Sequence, residues 1–244
     1  GALIAMLTGC LFAMIFAFFT VSIKADQTVI GTGLNILASG LTITINRAVF
    51  GASTSPPKIS TFGAVELPLL SRIPILGEAV FSQPLPVYIA LLLVPLAQFV
   101  MMHCNVGLKV RAVGENPKAC DTVGINVSKT RFLAVLYSGI MAGFAGAFVS
   151  MGQMTFFTEN MIAGGGFIAL AAVVFGNYTP LGVLISSLVF GASNAIMFRL
   201  QAASTGIPSQ FALMLPYVIT IAAICAVLRR SNRPASSAKP YIKE

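Results

Sequence analysis

The chain has 244 residues, of which 57% are hydrophobic and 9% are charged, and its mean hydropathy is +0.90. A soluble domain carries roughly 25% charged residues, so this composition excludes an ordinary soluble protein and predicts an all-α integral membrane protein. The net charge of +8 lies in short basic blocks between apolar stretches. That pattern is typical of membrane orientation and argues against a nucleic acid polymer as the partner.

Seven apolar stretches are long enough to be membrane-spanning helices, which need about 20 apolar residues each. They make up a predicted transmembrane domain over residues 1–228, and the Ser/Pro/Lys-rich segment 229–244 is predicted to be a disordered tail. Because the chain starts inside an apolar segment, we expect further N-terminal helices to precede it in the natural protein. The seven stretches are 1–23, 28–46, 86–102, 132–150, 161–178, 180–200 and 211–228.

The lysines and arginines predict which ends of these helices face the cytoplasm. If the polar segment 103–131 and the C-terminal tail are cytoplasmic, eleven basic residues lie inside and four outside. The inside residues are Lys24, Lys109, Arg111, Lys118, Lys129, Arg131, Arg229, Arg230, Arg233, Lys239 and Lys243, and the outside residues are Arg47, Lys58, Arg72 and Arg199. This orientation needs an even number of crossings between the polar segment and the tail, so the glycine-rich stretch 161–178 is counted as a span.

The second span carries a polar stripe. Its members recur at alternating steps of four and three residues, which places them on one face of a helix. They are Thr28, Thr32, Asn35, Ser39, Thr42 and Asn46. Polar groups facing lipid would lose their hydrogen bonds. Two interpretations stay open: hydrogen bonding between helices, or the lining of a pathway for a polar, uncharged solute.

Residues 47–84 are predicted to form a long external loop, because their prolines oppose a spanning helix. These are Pro56, Pro57, Pro68, Pro74 and Pro84. An irregular surface loop and a docking site for an external partner both fit this segment.

The polar segment 103–131 contains the sequence pattern of a short, well-bounded helix. Asn116 can cap its start, Pro117 suits the first helical position, and Gly124 can supply the left-handed residue that ends it. The expected product is a helix of about two turns over 117–123, held at the membrane surface. We expect such a helix to be a contact point for a partner.

Small residues mark several positions in the later spans. Gly164, Gly165 and Gly166 fit either a helix broken at a binding site or close packing between helices. Packing faces are predicted in the fourth span and in the sixth, formed by Gly139, Gly143 and Ala147, and by Ser187, Gly191 and Ala195.

Buried charge is nearly absent from the spans, although ion and proton pathways usually carry it. His103, Glu159 and Arg199 all lie near predicted span ends. The four cysteines match neither metal-site nor disulfide spacing, and the sequence has no GxxxxGK[ST] phosphate loop. We therefore predict no catalytic residues, no metal site and no ion relay in this chain.

The segment around the predicted short helix resembles the cytoplasmic coupling segment of bacterial ABC-importer permeases, in the superfamily of ribose and branched-chain amino-acid permeases. The matching residues are the run 111–117 (Arg-Ala-Val-Gly-Glu-Asn-Pro), Ala119, Thr122, Gly124 and Ile125. Similarity continues at 138–139, 142–147, 166–172 and 175–177. Upstream, Asp26-Gln27, Gly31, Leu34-Asn35 and Gly40-Leu41-Thr42 resemble the nucleoside (basic-membrane-protein-associated) group.

This resemblance implies an importer with two permease subunits, two cytoplasmic ABC ATPase subunits and an extracytoplasmic substrate-binding protein or lipoprotein. It implies that the short helix docks in the ATPase, through Arg111, Gly114, Glu115, Asn116, Pro117, Ala119 and Gly124. ATP and magnesium would then be bound by the ATPase, and this chain would hold no cofactor. Family members usually carry further N-terminal helices, including a Gly/Asn/Glu-containing segment that this sequence lacks.

The resemblance implies a nucleoside as the solute and the bacterial cytoplasmic membrane, with its lipid, as the location. The expected pathway residues are Thr32, Asn35, Ser39, Thr42, Gly165 and Gly166. Three alternatives stay open: a simple-sugar ABC permease, an ion-coupled secondary transporter, and a membrane scaffold whose polar segment recruits a soluble protein.

Overall fold

A computed structural model describes residues 1–51, 63–66, 82–153, 156–162, 164–202, 213–214, 217–219, 221–222 and 233–241. The helices are α1 (Ala2–Ala17), α2 (Gln27–Phe50), α3 (Leu85–His103), α4 (Asn105–Glu115), α5 (Pro117–Thr122), α6 (Val127–Phe148), α7 (Gly165–Phe175) and α8 (Pro180–Ala202). Short π-helical turns, Phe18–Ser22 and Val149–Gln153, extend α1 and α6. Two short strands, β1 (Ala64–Glu66) and β2 (Ser82–Pro84), pair antiparallel inside the predicted external loop.

Five of the described helices are long and apolar enough to cross a membrane: Ala2–Ser22, Gln27–Phe50, Leu85–His103, Val127–Gly152 and Pro180–Ala202. They coincide with the first four predicted spans and the sixth, so the expected all-α membrane architecture is confirmed. Their surfaces are apolar, as contact with lipid requires; Leu3 and Ile36 are about three-quarters exposed within the chain. The predicted seventh span, 211–228, lies mostly outside the described residues.

The predicted fifth span, 161–178, is not a spanning helix, which corrects the sequence analysis. Its helix, α7, has 11 residues. At about 1.5 Å per residue this is near half of the roughly 30 Å hydrocarbon thickness. The backbone explains the limits: Gly164 has φ +80° before the helix, and Asn177 and Tyr178 have φ of +53° and +58° after it. Left-handed residues cannot continue a right-handed helix, so α7 stays short.

The chain divides into two compact units. The first comprises Gly1–Leu92, Asn105–Met161 and Ala235–Glu244, and the second comprises Leu93–Cys104 and Ile162–Pro234. One of the boundaries, between Leu92 and Leu93, falls within α3.

In the first unit, α1 and α6 pack at backbone-to-backbone distance because small residues line both. A Cβ added to Gly139 would overlap the Cβ of Ala13 and lie 2.6 Å from the carbonyl oxygen of Gly9. Gly143 faces the backbone of α1 in the same way, and Ala147 is buried. The small-residue face predicted for the fourth span is thus confirmed as a packing face.

In the second unit, α7 and α8 form a close helical hairpin. The hydroxyl of Ser186 donates a hydrogen bond of 2.7 Å to the carbonyl of Ala172, and Gly176 meets Gly182 at the turn. The rings of Phe175 and Phe190 pack edge to face at 5.8 Å.

The packed face of α8 differs from the predicted one. Its buried residues are Ser186, Phe190 and Ser193, whereas the predicted members Ser187, Gly191 and Ala195 are exposed. The two sets are displaced by one or two positions along the helix. Because one residue turns a helix by about 100°, that displacement carries the predicted set off the packed side.

Candidate functional site

The polar segment folds as two successive helices, α4 and α5, where the sequence predicted one. The unforeseen helix, α4, has 11 residues and presents Lys109 and Arg111 as exposed side chains. Its inner side carries the buried residues Gly107 and Val113 and the half-buried residues Val110 and Gly114, so one turn follows the next at steps of three or four residues. That spacing is the pattern in the sequence that could have revealed α4.

The start of α5 agrees with its sequence prediction. The side-chain oxygen of Asn116 accepts a hydrogen bond of 3.2 Å from the amide of Ala119, which satisfies an amide that lacks a partner within the helix. Pro117 occupies the first helical position, where its missing N–H costs nothing.

The end of α5 is a Schellman motif. Gly124 has φ +81°, and its amide donates to the carbonyl of Asp121 at 3.0 Å. The amide of Ile125 donates to the carbonyl of Cys120, also at 3.0 Å. These two hydrogen bonds are the pair that defines the motif, and the left-handed residue belongs at the position of Gly124. The helix ends at Thr122, one residue before the predicted limit.

One face of α5 is buried and the other is open. Cys120 on the inner face belongs to a buried apolar cluster with Val113 of α4 and Val127 of α6. Ala112, Ile125 and Tyr241 pack against that cluster. The outer face is exposed along Lys118, Ala119 and Thr122, and continues to Val123, which is 73% exposed. Among the other predicted coupling residues, Glu115 and Asn116 are exposed, and Gly114 and Pro117 are half-buried.

The C-terminal residues contact this same region, which the sequence analysis did not foresee. The amide of Ser236 donates to the carbonyl of Gly114 at 3.1 Å, and the Ser236 hydroxyl donates to the carbonyls of Val113 and Gly114. The guanidinium of Arg131 donates to the carbonyl of Lys239 at 2.8 Å. Composition predicts a disordered tail and cannot show these contacts, because the partners of these residues lie over a hundred positions earlier in the sequence.

The polar stripe lies along a helix that the rest of the described chain hardly covers. No residue of α2 is buried; Thr28, Thr32, Asn35, Ser39 and Thr42 are exposed, and Asn46, the last member of the stripe, is half-buried. The threonine hydroxyls donate to carbonyls of their own helix: Thr32 to Thr28 at 3.0 Å, and Thr42 to Ala38. Asn35 and Ser39 are exposed members of this face whose side chains make no such hydrogen bond among the described residues.

The stripe lies beside the part of α2 that faces the chain. Gly31 faces α1, where an added Cβ would lie 3.8 Å from the ring of Phe16. The half-buried residues Gly31, Leu34 and Ala38 follow one another at helical spacing on this side. At about 100° per residue, the polar stripe lies roughly a quarter turn around the helix from them. Within the described residues, the five exposed members of the stripe make no described hydrogen bond to another helix.

Gly165 and Gly166 begin α7 in the second unit, while the stripe belongs to the first. A Cβ on Gly165 would meet only the side chain of Ile162, at 3.5 Å, and one on Gly166 would meet nothing within 4 Å. Among the described residues, these glycines start a short helix instead of bringing two helices together.

An ion pair joins the end of α2 to the segment after α6. The guanidinium of Arg47 lies 2.8 Å from the carboxylate of Glu159, with both side chains about half exposed or more. The sequence placed both residues at the outer ends of spans, and their contact is consistent with one common side of the membrane. Within the described residues, no group of three His, Cys, Asp or Glu side chains is arranged to hold a metal ion.

Comparison with known proteins identifies the family. Residues 1–224 match the family described as "Branched-chain amino acid transport system / permease component". The chain belongs to this permease family. The matched range contains α1 to α8, and with them the polar stripe and the α4–α5 segment.

Three relatives illustrate the similarity of this permease to named proteins. The guanosine ABC transporter permease protein NupQ of Bacillus subtilis is 39% identical over 246 residues, covering 99% of this chain and 76% of the relative. The nucleoside ABC transporter permease protein NupC of Lactococcus lactis is also 39% identical, covering 100% and 76%. The putative glucose ABC transporter permease protein TsgC13 of Haloferax volcanii is 36% identical, covering 80% and 59%. No solved structure is significantly similar to the chain.

Proposed function

We propose that this chain is the membrane permease subunit of an ATP-driven importer for nucleosides. The observation that carries the proposal is the 39% identity, over essentially the whole chain, to permeases named for guanosine and nucleoside transport. The described helices agree with this role, because five can cross a membrane and the spans hold almost no charge that could serve an ion relay.

The polar stripe of α2 supports the pathway part of this proposal. Asn35 and Ser39 are exposed, and an amide or hydroxyl facing lipid would go unsatisfied. A nucleoside is neutral and carries hydroxyl, carbonyl and amine groups, so a face of amides and hydroxyls suits it better than a charged site would. In the assembled importer, Thr32, Asn35, Ser39 and Thr42 line the solute's route. Gly165 and Gly166 of the second unit are a separate expectation, supported by the open space at the Cβ position of Gly166.

The α4–α5 segment supports the energy-coupling part. The chain's sequence has no phosphate-binding loop, so ATP and magnesium are bound by a separate cytoplasmic ATPase. The exposed face of α5 is the surface that this ATPase contacts, with Asn116 and Gly124 setting the limits of the helix and Arg111 and Glu115 flanking it. A second permease subunit and an extracytoplasmic substrate-binding protein or lipoprotein complete the importer.

The α4–α5 segment and the tail lie together on the cytoplasmic side in this proposal. The hydrogen bond from Arg131 to Lys239 supports a common side, because its two residues cannot be separated by a membrane. The excess of lysine and arginine in both segments supports the cytoplasm as that side.

The test is uptake of radiolabelled guanosine into vesicles that contain the complex purified from native membranes. We expect an ATPase to co-purify with the chain, and uptake to require ATP inside or outside the vesicles according to the orientation of the complex. Uptake driven by an ion gradient without ATP would overturn the proposal in favour of a secondary transporter. A preparation that binds a soluble protein but moves no solute would favour a scaffold.

A matched pair of variants tests the pathway residues. Asn35→Ala removes the amide from the polar stripe, whereas Ile36→Ala makes a similar truncation at the adjacent residue, which is 75% exposed and off the stripe. We expect the first to raise the KM for guanosine about tenfold, since a hydrogen bond between solute and a water-poor site is worth about 1–1.5 kcal/mol. The second should leave KM unchanged; equal effects of both would contradict a lining role.

A second solute deserves the same assay, because TsgC13 is named for glucose. Unlabelled glucose and adenosine are added in excess to the guanosine uptake assay. Inhibition by adenosine and not by glucose supports a nucleoside permease, and inhibition by glucose alone would support the sugar alternative.

A further inference from the structure

The C-terminal residues 235–241 make a set of contacts with the α4–α5 segment that neither the family nor the relatives' names assign. We propose that these residues form a strap, which holds the α4–α5 corner against α6 so that movement of α5 reaches the membrane helices. Ser236 and Tyr241 are then positioning residues for energy coupling. This inference rests on the proposed function of α5 as the ATPase contact.

The first contact of the strap satisfies the end of α4. The last four carbonyls of a helix have no partner within it, and two of them in α4 belong to Val113 and Gly114. Ser236 supplies donors to both: its amide lies 3.1 Å from the Gly114 carbonyl, and its hydroxyl lies 3.3 Å from the Val113 carbonyl. The strap thus bonds at the joint between α4 and α5, because Gly114 lies one residue before Glu115 and two residues before the capping residue Asn116.

The second and third contacts join the strap to α6 and to the buried cluster. Arg131, in the first turns of α6, donates to the carbonyl of Lys239 at 2.8 Å. Tyr241 is half-buried and packs against the cluster of Val113, Cys120 and Val127. These three cluster residues come from α4, α5 and α6 respectively. The strap therefore bonds directly to α4 and α6 and packs on the cluster through which α5 contacts both helices.

The position of the strap indicates a brace and argues against an inhibitor. It packs on the cluster at the inner face of α5, on the side where Cys120 is buried. The outer face, with Lys118, Ala119 and Thr122, remains exposed while the strap is bound. An autoinhibitory segment would have to cover the outer face, which is the surface assigned to the ATPase.

A brace matters here because α5 itself is small. It has six residues, and Cys120 is its buried member. A helix of two turns that buries one side chain can tilt by itself while α6 stays in place. A displacement of α5 would then be absorbed at the joint between α4 and α5 and would not reach α6. Hydrogen bonds at Ser236 and packing at Tyr241 couple the joint to α6, so that the corner moves as one body.

The experiment compares three forms of the full complex in vesicles: Ser236→Ala, Tyr241→Ala and a chain that ends after Pro234. The measured quantity is the amount of guanosine imported per ATP hydrolysed. Losing the Ser236 hydroxyl should lower the ratio of docked to undocked strap by roughly fivefold, the factor that corresponds to one hydrogen bond. We expect a lower import-to-hydrolysis ratio in all three forms, largest for the shortened chain, with co-purification of the ATPase unchanged.

Two conservative variants serve as controls. Ser237→Ala makes the same chemical change at the adjacent serine, for which the structure describes no such hydrogen bond, and Tyr241→Phe keeps the ring that packs on the cluster. Both should retain more of the coupling ratio than Ser236→Ala and Tyr241→Ala. A structural readout accompanies them: hydrogen–deuterium exchange at residues 105–122 should speed up when the strap is removed.

The outcomes separate the strap from the proposed function. If the unaltered complex imports guanosine with ATP and the three forms keep its coupling ratio, the strap proposal is overturned while the function stands. A rise in ATP hydrolysis together with a rise in import on shortening the chain would also overturn it, because that is the behaviour of a released inhibitor. If the unaltered complex binds no ATPase and imports nothing, the proposed function fails, and exchange at residues 105–122 still decides whether the strap holds the corner.

Discussion

Gly124 shows how one residue can set the limit of a functional element. Its φ of +81° allows the two hydrogen bonds that close α5, and open space surrounds it, so the requirement is conformational and not steric. The left-handed conformation costs an L-residue with a Cβ roughly 1–2 kcal/mol of conformational free energy, and it costs a β-branched residue more. Asparagine tolerates the region better than other non-glycine residues.

We therefore expect Gly124→Val to disrupt the end of α5 and reduce ATP-driven uptake, while Gly124→Asn keeps most of it. Uptake into vesicles and co-purification of the ATPase measure the effect. Survival of both activities in Gly124→Val would show that this helix end is not needed for docking.

Asp26 provides a residue-scale prediction about pH. Its carboxylate caps α2 by accepting hydrogen bonds from the amides of Val29, at 3.1 Å, and Thr28, at 2.8 Å. These bonds favour the charged form and lower the pKa of Asp26 below its usual value of 3.8. A lowered pKa contributes stability above the usual value, and that stability is lost as the pH falls through the folded-state pKa.

The variant Asp26→Asn keeps the capping oxygen and removes the charge. The thermal unfolding temperature of the unaltered chain in detergent should exceed that of Asp26→Asn at neutral pH, and the difference should shrink as the pH falls below about 3.8. A difference that stays constant with pH would mean that the charge of Asp26 does not stabilise α2.

At the scale of elements, the contact between α1 and α6 depends on the absence of side chains. Gly9 and Gly139 face each other across it, and each would overlap the opposite helix if it carried a Cβ. Gly146 lies on the same helix as Gly139, but nothing lies within 4 Å of the position of its Cβ. Gly139 and Gly146 are therefore a matched pair of positions in α6, one packed and one open.

The expected cost of Gly139→Ala is about 1–3 kcal/mol, the usual range for overpacking a well-packed contact. Thermal unfolding of the detergent-solubilised protein should show a lower midpoint for this variant. The unfolding midpoint of Gly146→Ala should equal or slightly exceed that of the unaltered protein, because alanine forms helices more readily than glycine. Equal destabilisation by both substitutions would mean that α1 and α6 do not approach at Gly139.

At the scale of the whole molecule, the short length of α7 changes the count of crossings. A cytoplasmic tail requires an even number of crossings after the polar segment, and the sequence predicts 161–178 as one of them, yet α7 has only 11 residues. The contact between Arg131 and Lys239 supplies the same constraint independently, because it holds the tail beside the start of α6. Between these residues, α6 and α8 are both long enough to cross, and two crossings give an even number without α7.

Cysteine labelling tests this topology in intact cells whose chain lacks its native cysteines. With a membrane-impermeant maleimide, we expect Val49→Cys at the end of α2 to react. Lys109→Cys in α4 and Ala235→Cys in the strap should react only after the membrane is permeabilised. Reaction of Ala235→Cys in intact cells would place the tail outside and contradict its contact with Arg131.

Local information was enough for the parts of this protein that depend on solvent and on neighbouring residues. Hydrophobic length predicted five helices that the structure contains, because a helix that crosses lipid must satisfy its own backbone and expose apolar side chains. The cap at Asn116, the proline at the first helical position and the left-handed Gly124 could be predicted because each acts within a few residues.

Tertiary structure decided what depends on residues far apart in the chain. It selected Ser186, Phe190 and Ser193 as the packed face of α8 in place of the small residues one or two positions away, and it left the polar stripe of α2 outside the packing of this chain. It also brought Ser236 to the end of α4 across more than a hundred residues of sequence. Composition and residue spacing within one segment do not determine such pairings, because the free energy of a contact depends on both segments together and on neither of them alone.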